Sequence, residues 1–258
     1  MQVSRAPLVE ALGLPPASSL ISIVGGGGKS ALLFALGRLL PGRVLLTTTT
    51  RIFTTQIKRA VAACELGVEG FEEALADGPS GLLVIDRIIG DKAIGVSPSL
   101  PAEWLKRHDV QHVVVEADGS RMRPAKAPAE HEPVIADAST HVVVVVGIDA
   151  LAAPIAQATH RPELVCALLN LEPDACLGIE DLARLIRDDR GGLKDVSEAV
   201  RVRVVINKVE SEEQQADAAA IARVLLRESR IDRVIWGALE GSKRGADGEW
   251  SVARRAAD

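Results

Sequence analysis

Apolar residues along the chain fall into short β-branched runs separated by longer stretches with helical spacing. The runs at 20–24, 44–48, 82–85, 112–116, 141–146, 202–206 and 233–236 predict strands. Two of them, around Val114 and Val144, are apolar on consecutive residues, the pattern of strands buried on both faces. Between the runs, the spacing predicts helices over 30–40, 56–66, 71–76, 179–188 and 212–227. In the first, Leu32, Leu33, Leu36, Leu39 and Leu40 share one face. Alternating strands and helices imply an α/β fold in three layers, a mostly parallel sheet with helices on both faces. One stretch departs from that rhythm: 82–89 and 93–96 flank Gly90-Asp91-Lys92, which predicts an inserted β-hairpin near 82–96. No repeat, linker or charge block marks a boundary, so residues 1–258 are expected to form a single domain with a polar, glycine-bearing tail after Gly241.

Composition narrows the function classes. Hydrophobic residues are 47% and charged residues 25%, ordinary for a folded chain. A net charge of −5 and 2% aromatics provide neither the basic field nor the stacking surface of a nucleic-acid binder. The longest apolar run is far shorter than the ~20 residues of a membrane span, and no signal peptide is evident. The three cysteines, Cys64, Cys166 and Cys176, are scattered, which fits a cytoplasmic protein better than a disulfide or zinc framework.

The strongest chemical signal is Val24-Gly25-Gly26-Gly27-Gly28-Lys29-Ser30, placed between a strand and an amphipathic helix. Glycines allow backbone N–H groups to turn inward around phosphate, and the helix start adds its dipole. Lys29 would meet the β- and γ-phosphates and the Ser30 hydroxyl a Mg²⁺ ion. The loop is shorter than the usual phosphate loop, because Ile23 occupies the place of its first glycine. A dinucleotide loop is the poorer fit, since Ser30 replaces its third glycine and threonines end the second strand.

A second signal is the strand end Glu116-Ala117-Asp118-Gly119. Ligands of parallel sheets gather beyond the carboxyl ends of the strands, so Glu116 or Asp118 would hold Mg²⁺ or orient water; a plain surface turn is the alternative. Thr47–Thr50 end on the same edge, and the hydroxyls of Thr48 and Thr49 would meet metal or substrate unless the run is merely good strand material. Lys126, in a proline-framed loop, would add charge for a phosphoryl group or stay solvated. Asn207-Lys208-Val209-Glu210 follows a strand and has the form of a guanine reader with an acid one methylene longer than aspartate; a helix cap at Asn207 is compatible with it. The loop clusters His160-Arg161 and His131-Glu132 read first as caps and salt bridges.

These segments, with Arg123–Pro128, Val146–Ala150 and His160–Glu163, resemble the YqeC-like selenium cofactor biosynthesis proteins, accessory proteins of selenium-dependent molybdenum hydroxylases. The resemblance runs from about Leu20 to Lys208. It implies a P-loop nucleotide-binding fold, a short glycine loop as a family trait, and assistance in maturing a molybdenum hydroxylase client. The leading expectation is a Mg²⁺-dependent NTPase using GTP in preference to ATP. Two others stand beside it. One is a P-loop kinase or ligase with Thr48, Thr49, Lys126, His160 and Arg161 lining an acceptor pocket. The other is a non-catalytic nucleotide-binding scaffold.

Overall fold

A computed structural model describes residues 1–240 and 245–255. The chain runs through β1 (Gln2–Pro7), α1 (Leu8–Leu12), β2 (Ser19–Gly25), α2 (Lys29–Leu39) and β3 (Val44–Thr48). A peripheral stretch follows, with β4 (Arg51–Phe53), α3 (Thr54–Ile57), β5 (Ala62–Glu65), α4 (Phe71–Asp77), β6 (Leu82–Ile85), β7 (Arg87–Ile89) and β8 (Lys92–Ile94). Next come α5 (Leu100–Leu105), β9 (His112–Glu116), β10 (Ala125–Lys126), β11 (His141–Gly147), α6 (Ile155–Ala158), β12 (Thr159–His160) and α7 (Pro162–Leu169). The last elements are α8 (Ile179–Arg187), β13 (Arg201–Asn207), α9 (Glu212–Leu225), β14 (Ile231–Trp236) and β15 (Glu249–Arg254).

Ten strands form one sheet in the order β1-β15-β14-β13-β11-β2-β9-β3-β6-β5. Every neighbouring pair from β14 to β5 is parallel; β15 runs antiparallel to β14 and to β1. Alternation along the strands divides the core in two. Ile21, Ile23, Val114, Val143 and Val145 face α1 and α2, whereas Val142, Val144, Val146, Val202 and Val204 face α8 and α9. On that second face Leu20, Leu45, Val113 and Val115 pack with Trp104 of α5. Burial on both faces explains the unbroken valine run of β11, which no half-exposed strand would tolerate.

Two expectations need correction. The helix expected over 56–66 is limited to α3, and Ala62–Glu65 instead forms the edge strand β5 paired with β6. Pairing with an exposed strand edge outweighs a weak helical pattern that no core face supports. The hairpin is narrower than 82–96. Leu82–Ile85 is buried throughout and belongs to the large sheet, while β7 and β8 form the hairpin and pair with β4 in a separate three-stranded sheet. In the tail after Gly241, residues 241–244 and 256–258 lie outside the described residues, and Glu249–Arg254 is the strand β15.

Parallel order places the carboxyl ends of β3, β9, β2, β11 and β13 along one edge. Thr48 and Ile23 both register with Glu116, Gly25 with Val145, and Gly147 with Asn207. The segments singled out by their chemistry are thereby neighbours.

Candidate functional site

The glycine loop joins central strand β2 to α2, and each glycine is required by its surroundings. Gly25, Gly27 and Gly28 have φ of 99°, 70° and 135°, a region that side chains avoid. A Cβ on them would strike Val145, Gly147 and the Asn207 amide respectively, and one on Gly26 would lie 2.7 Å from the Arg123 carbonyl. Gly26 and Gly27 donate their N–H groups to Val145 and Arg123, both at 2.9 Å. Beyond them, the N–H groups of Gly28, Lys29, Ser30 and Ala31 meet no acceptor among the described residues. Four open amides at the start of an eleven-residue helix form a concavity of the kind that suits an anion.

Side chains of opposite charge meet at its rim. The Ser30 hydroxyl donates to Glu116 Oε2 at 2.7 Å. Lys29 Nζ donates to the Gly25 carbonyl at 2.7 Å and lies 3.3 Å from Asp118 and 3.9 Å from Glu116. Burial pushes the Glu116 carboxyl above its ordinary pKa, against the pull of Lys29 and Ser30. The two acids, equivalent in sequence, are not equivalent in space. Asp118 accepts from the Gly25 N–H at 3.1 Å and pairs with Lys126 at 3.0 Å, whereas Glu116 faces Ser30. The other Asp118 oxygen is buried without a hydrogen bond.

Lys126 is not the solvated loop lysine that one alternative allowed. Its buried ammonium donates to Glu132 at 2.6 Å and to the Gly119 carbonyl at 2.7 Å, besides pairing with Asp118. Glu132 in turn accepts hydrogen bonds from both terminal guanidinium nitrogens of Arg161, at 2.7 and 3.1 Å. Burial alone would raise the Glu132 pKa, but hydrogen bonds and charge from Lys126 and Arg161 hold it at about 2. The parallel pair β10–β12 sets His160 beside Lys126, and burial together with Arg161 and Lys126 lowers its pKa to about 4. The salt-bridge reading of the His131-Glu132 cluster therefore holds. Glu132's place as the hinge between Lys126 and Arg161 was not legible, because the five residues of loop between Lys126 and Glu132 have no periodicity.

The Thr48 hydroxyl donates to the Glu116 carbonyl at 2.8 Å and that of Thr49 to Val134 at 2.5 Å. The Thr48 hydroxyl thus ties the ends of β3 and β9 together, and that of Thr49 ties the end of β3 to the loop before β11. Asn207 holds the loop from the other side, donating to the Gly27 carbonyl at 2.7 Å and accepting from the Leu239 N–H at 2.9 Å. Lys208 pairs with Asp149 at 2.6 Å, and the Glu210 N–H is capped by Gln214. Asp149, Asn207, Lys208 and Glu210 line a cleft of about 450 Å³ that opens on Gly27, Gly28 and Ala31. Asp149 lies in the Val146–Ala150 segment of the family resemblance, where nothing in the sequence assigned it a role. No helix among the described residues is long and apolar enough to cross a membrane.

A glycine loop between a central parallel strand and a helix, with Lys-Ser at the helix start and an acidic strand end beside it, defines a P-loop NTPase-like α/β fold. Comparison with known proteins agrees at the level of family. A family model described as "YqeC protein" matches residues 21–163. The "Uncharacterized protein YqeC" of Escherichia coli (strain K12) is 34% identical over 210 residues, which is 80% of this chain and 82% of that protein. The chain belongs to the YqeC family. Among solved structures it is similar to chloroplast FtsY from Physcomitrella patens, with a TM-score of 0.44 and 12% identity. That match covers 92% of this chain, which spans 63% of the neighbour's length.

Proposed function

We propose that the chain acts as one nucleotide-binding domain that holds a Mg²⁺-bound nucleoside triphosphate on the Gly25–Ser30 loop and hydrolyses it. The observation that carries this reading is the cradle of four open amides, from Gly28 to Ala31, closed on both sides by backbone that only glycine permits. Lys29 would exchange the Gly25 carbonyl for the β- and γ-phosphate oxygens. A hydroxyl and a carboxylate 2.7 Å apart are a suitable donor pair for a hard cation, so Ser30 and Glu116 would hold Mg²⁺. When bound, Mg²⁺ supplies positive charge to the β- and γ-phosphates. Asp118, held by Gly25 and Lys126, would keep the loop in register, and its other oxygen, 3.3 Å from Lys29, would be free to orient water once Lys29 moves onto phosphate.

GTP is favoured over ATP because the cleft beyond the loop carries carboxylates, Asp149 and Glu210 among them. The guanine edge offers N1–H and an amino group to such acceptors. Following the family resemblance, we take the nucleotide state to serve maturation of a selenium-dependent molybdenum hydroxylase.

Calorimetric titration with GTP and ATP analogues, with and without Mg²⁺, tests the reading. The native chain should bind in a Mg²⁺-dependent manner. Lys29→Ala should lose at least about tenfold in affinity, roughly 1.4 kcal/mol, at unchanged circular dichroism. Equal affinity in the variant would overturn the assignment. Glu210→Ala should narrow the preference for GTP, and a chain that prefers ATP would return Asn207–Glu210 to the role of a helix cap.

A further inference from the structure

One cation reaches the site mouth from a segment that carries no motif. Arg59 follows α3, and its guanidinium lies over the Phe34 ring, 5.2 Å from the centroid. Phe34 is one turn beyond Ser30 on α2, so this stack sets Arg59 beside the helix start whose amides are open. Its carboxylate partner among the described residues is Glu240, which comes from beyond β14 and lines the cleft with Gly27, Gly28 and Ala31. Phe34 and Glu240 together hold Arg59 at the rim shared by the glycine-loop helix and the cleft. The Arg59–Glu240 pair itself is open to water, with the two side chains 40% and 62% exposed, and an ion pair so exposed is easily exchanged.

We propose that Arg59 turns from Glu240 onto the terminal phosphate of the bound nucleoside triphosphate and neutralises the charge that grows there during transfer. This rests on the nucleotide reading above and adds to it a residue outside the glycine loop and the acidic strand end. In hydrolysis, a water oxygen bonds to the γ-phosphorus as the bond to the β–γ bridging oxygen breaks. The bridging oxygen leaves on the diphosphate with the electron pair, and the water's surplus proton passes to orthophosphate and solvent. Arg59 exchanges neither proton nor electron in this step. Its planar fork donates N–H groups to phosphate oxygens, a task for which a lysine ammonium lacks the geometry.

Arg59→Met keeps a stem over Phe34 and removes the fork, which separates charge from packing. Three quantities are measured beside the native chain: affinity for GDP, affinity for GDP with aluminium fluoride, and phosphate release from Mg²⁺–GTP in a single turnover. GDP affinity should stay within about twofold, while fluoride-complex affinity should fall by at least about tenfold and phosphate release by about 1,000-fold or more, the lower end of what such arginines supply. Arg59→Lys should recover little of either. Native fluoride affinity and release in Arg59→Met would overturn the proposal, as would an equal loss of GDP and fluoride affinity, which would mark a structural role. A native chain that binds nucleotide no better than Lys29→Ala defeats the nucleotide reading first and this proposal with it.

Discussion

Glu132 sits where two cations, Lys126 and Arg161, meet on one carboxylate. It is buried, it neutralises Lys126 and Arg161, and its pKa near 2 reports the strength of that environment. Glu132→Gln should keep the shape and leave two cations facing each other. Removing one partner of a buried pair costs about 3–5 kcal/mol, and a urea titration should show the loss. The Glu132 contribution should be full above pH 4.5 and disappear as pH falls through about 2, because its folded pKa lies below its ordinary 4.5. At Gly27, φ is positive and the Gly147 backbone fills the space of a Cβ, so Gly27→Ala should displace the loop. The expected result is loss of nucleotide affinity greater than loss of stability, read by calorimetry and thermal denaturation on one preparation. Arg121 and Met122 also take positive φ, 47° and 60°, in the loop that brings the Arg123 carbonyl onto the Gly27 N–H. Such conformations of ordinary residues carry a cost that the surrounding hydrogen bonds offset.

Among elements, α2 and the strands beside it follow from local pattern, and the sheet edges do not. Strand β15 closes the sheet between β14 and β1, and its Trp250 is almost fully buried against Gly237, whose absent side chain leaves room for the indole. Trp250→Ala should destabilise the fold by about 3–5 kcal/mol through the cavity it leaves. A smaller loss in chemical denaturation would mean that β15 is a peripheral strand. The same contrast explains β5. Its sequence carries a helical reading, yet pairing of Ala62–Glu65 with β6 decides the outcome. The glycine loop, by comparison, was legible to the residue, since the glycines, Lys29 and Ser30 are contiguous and need no distant partner to be recognised.

At the scale of the molecule, burial keeps several histidines neutral. His112 and His141 are lowered by burial, and His141, with Arg203 and Arg201 nearby, reaches about 4. A histidine whose folded pKa lies below its ordinary 6.5 contributes stability above that pH and loses it as pH falls toward 4. The urea midpoint should therefore be lower at pH 5 than at pH 7.5, and His141→Asn should flatten the difference. An unchanged slope in that variant would assign the pH dependence elsewhere.

Local pattern was enough to specify the parallel core, because strands buried on both faces must be continuously apolar and the helices between them must be amphipathic. It also determined the glycine loop and the acidic strand end, whose chemistry is written in adjacent residues. Tertiary structure alone decided which acid faces Ser30, why Lys126 is buried, and that Thr48 and Thr49 bind backbone. It likewise brought Glu132, Asp149 and Arg59 to the site from separate loops. Those outcomes rest on contacts between residues far apart in the chain, whose pairing and register are set by the packed sheet and leave no periodic trace in the sequence.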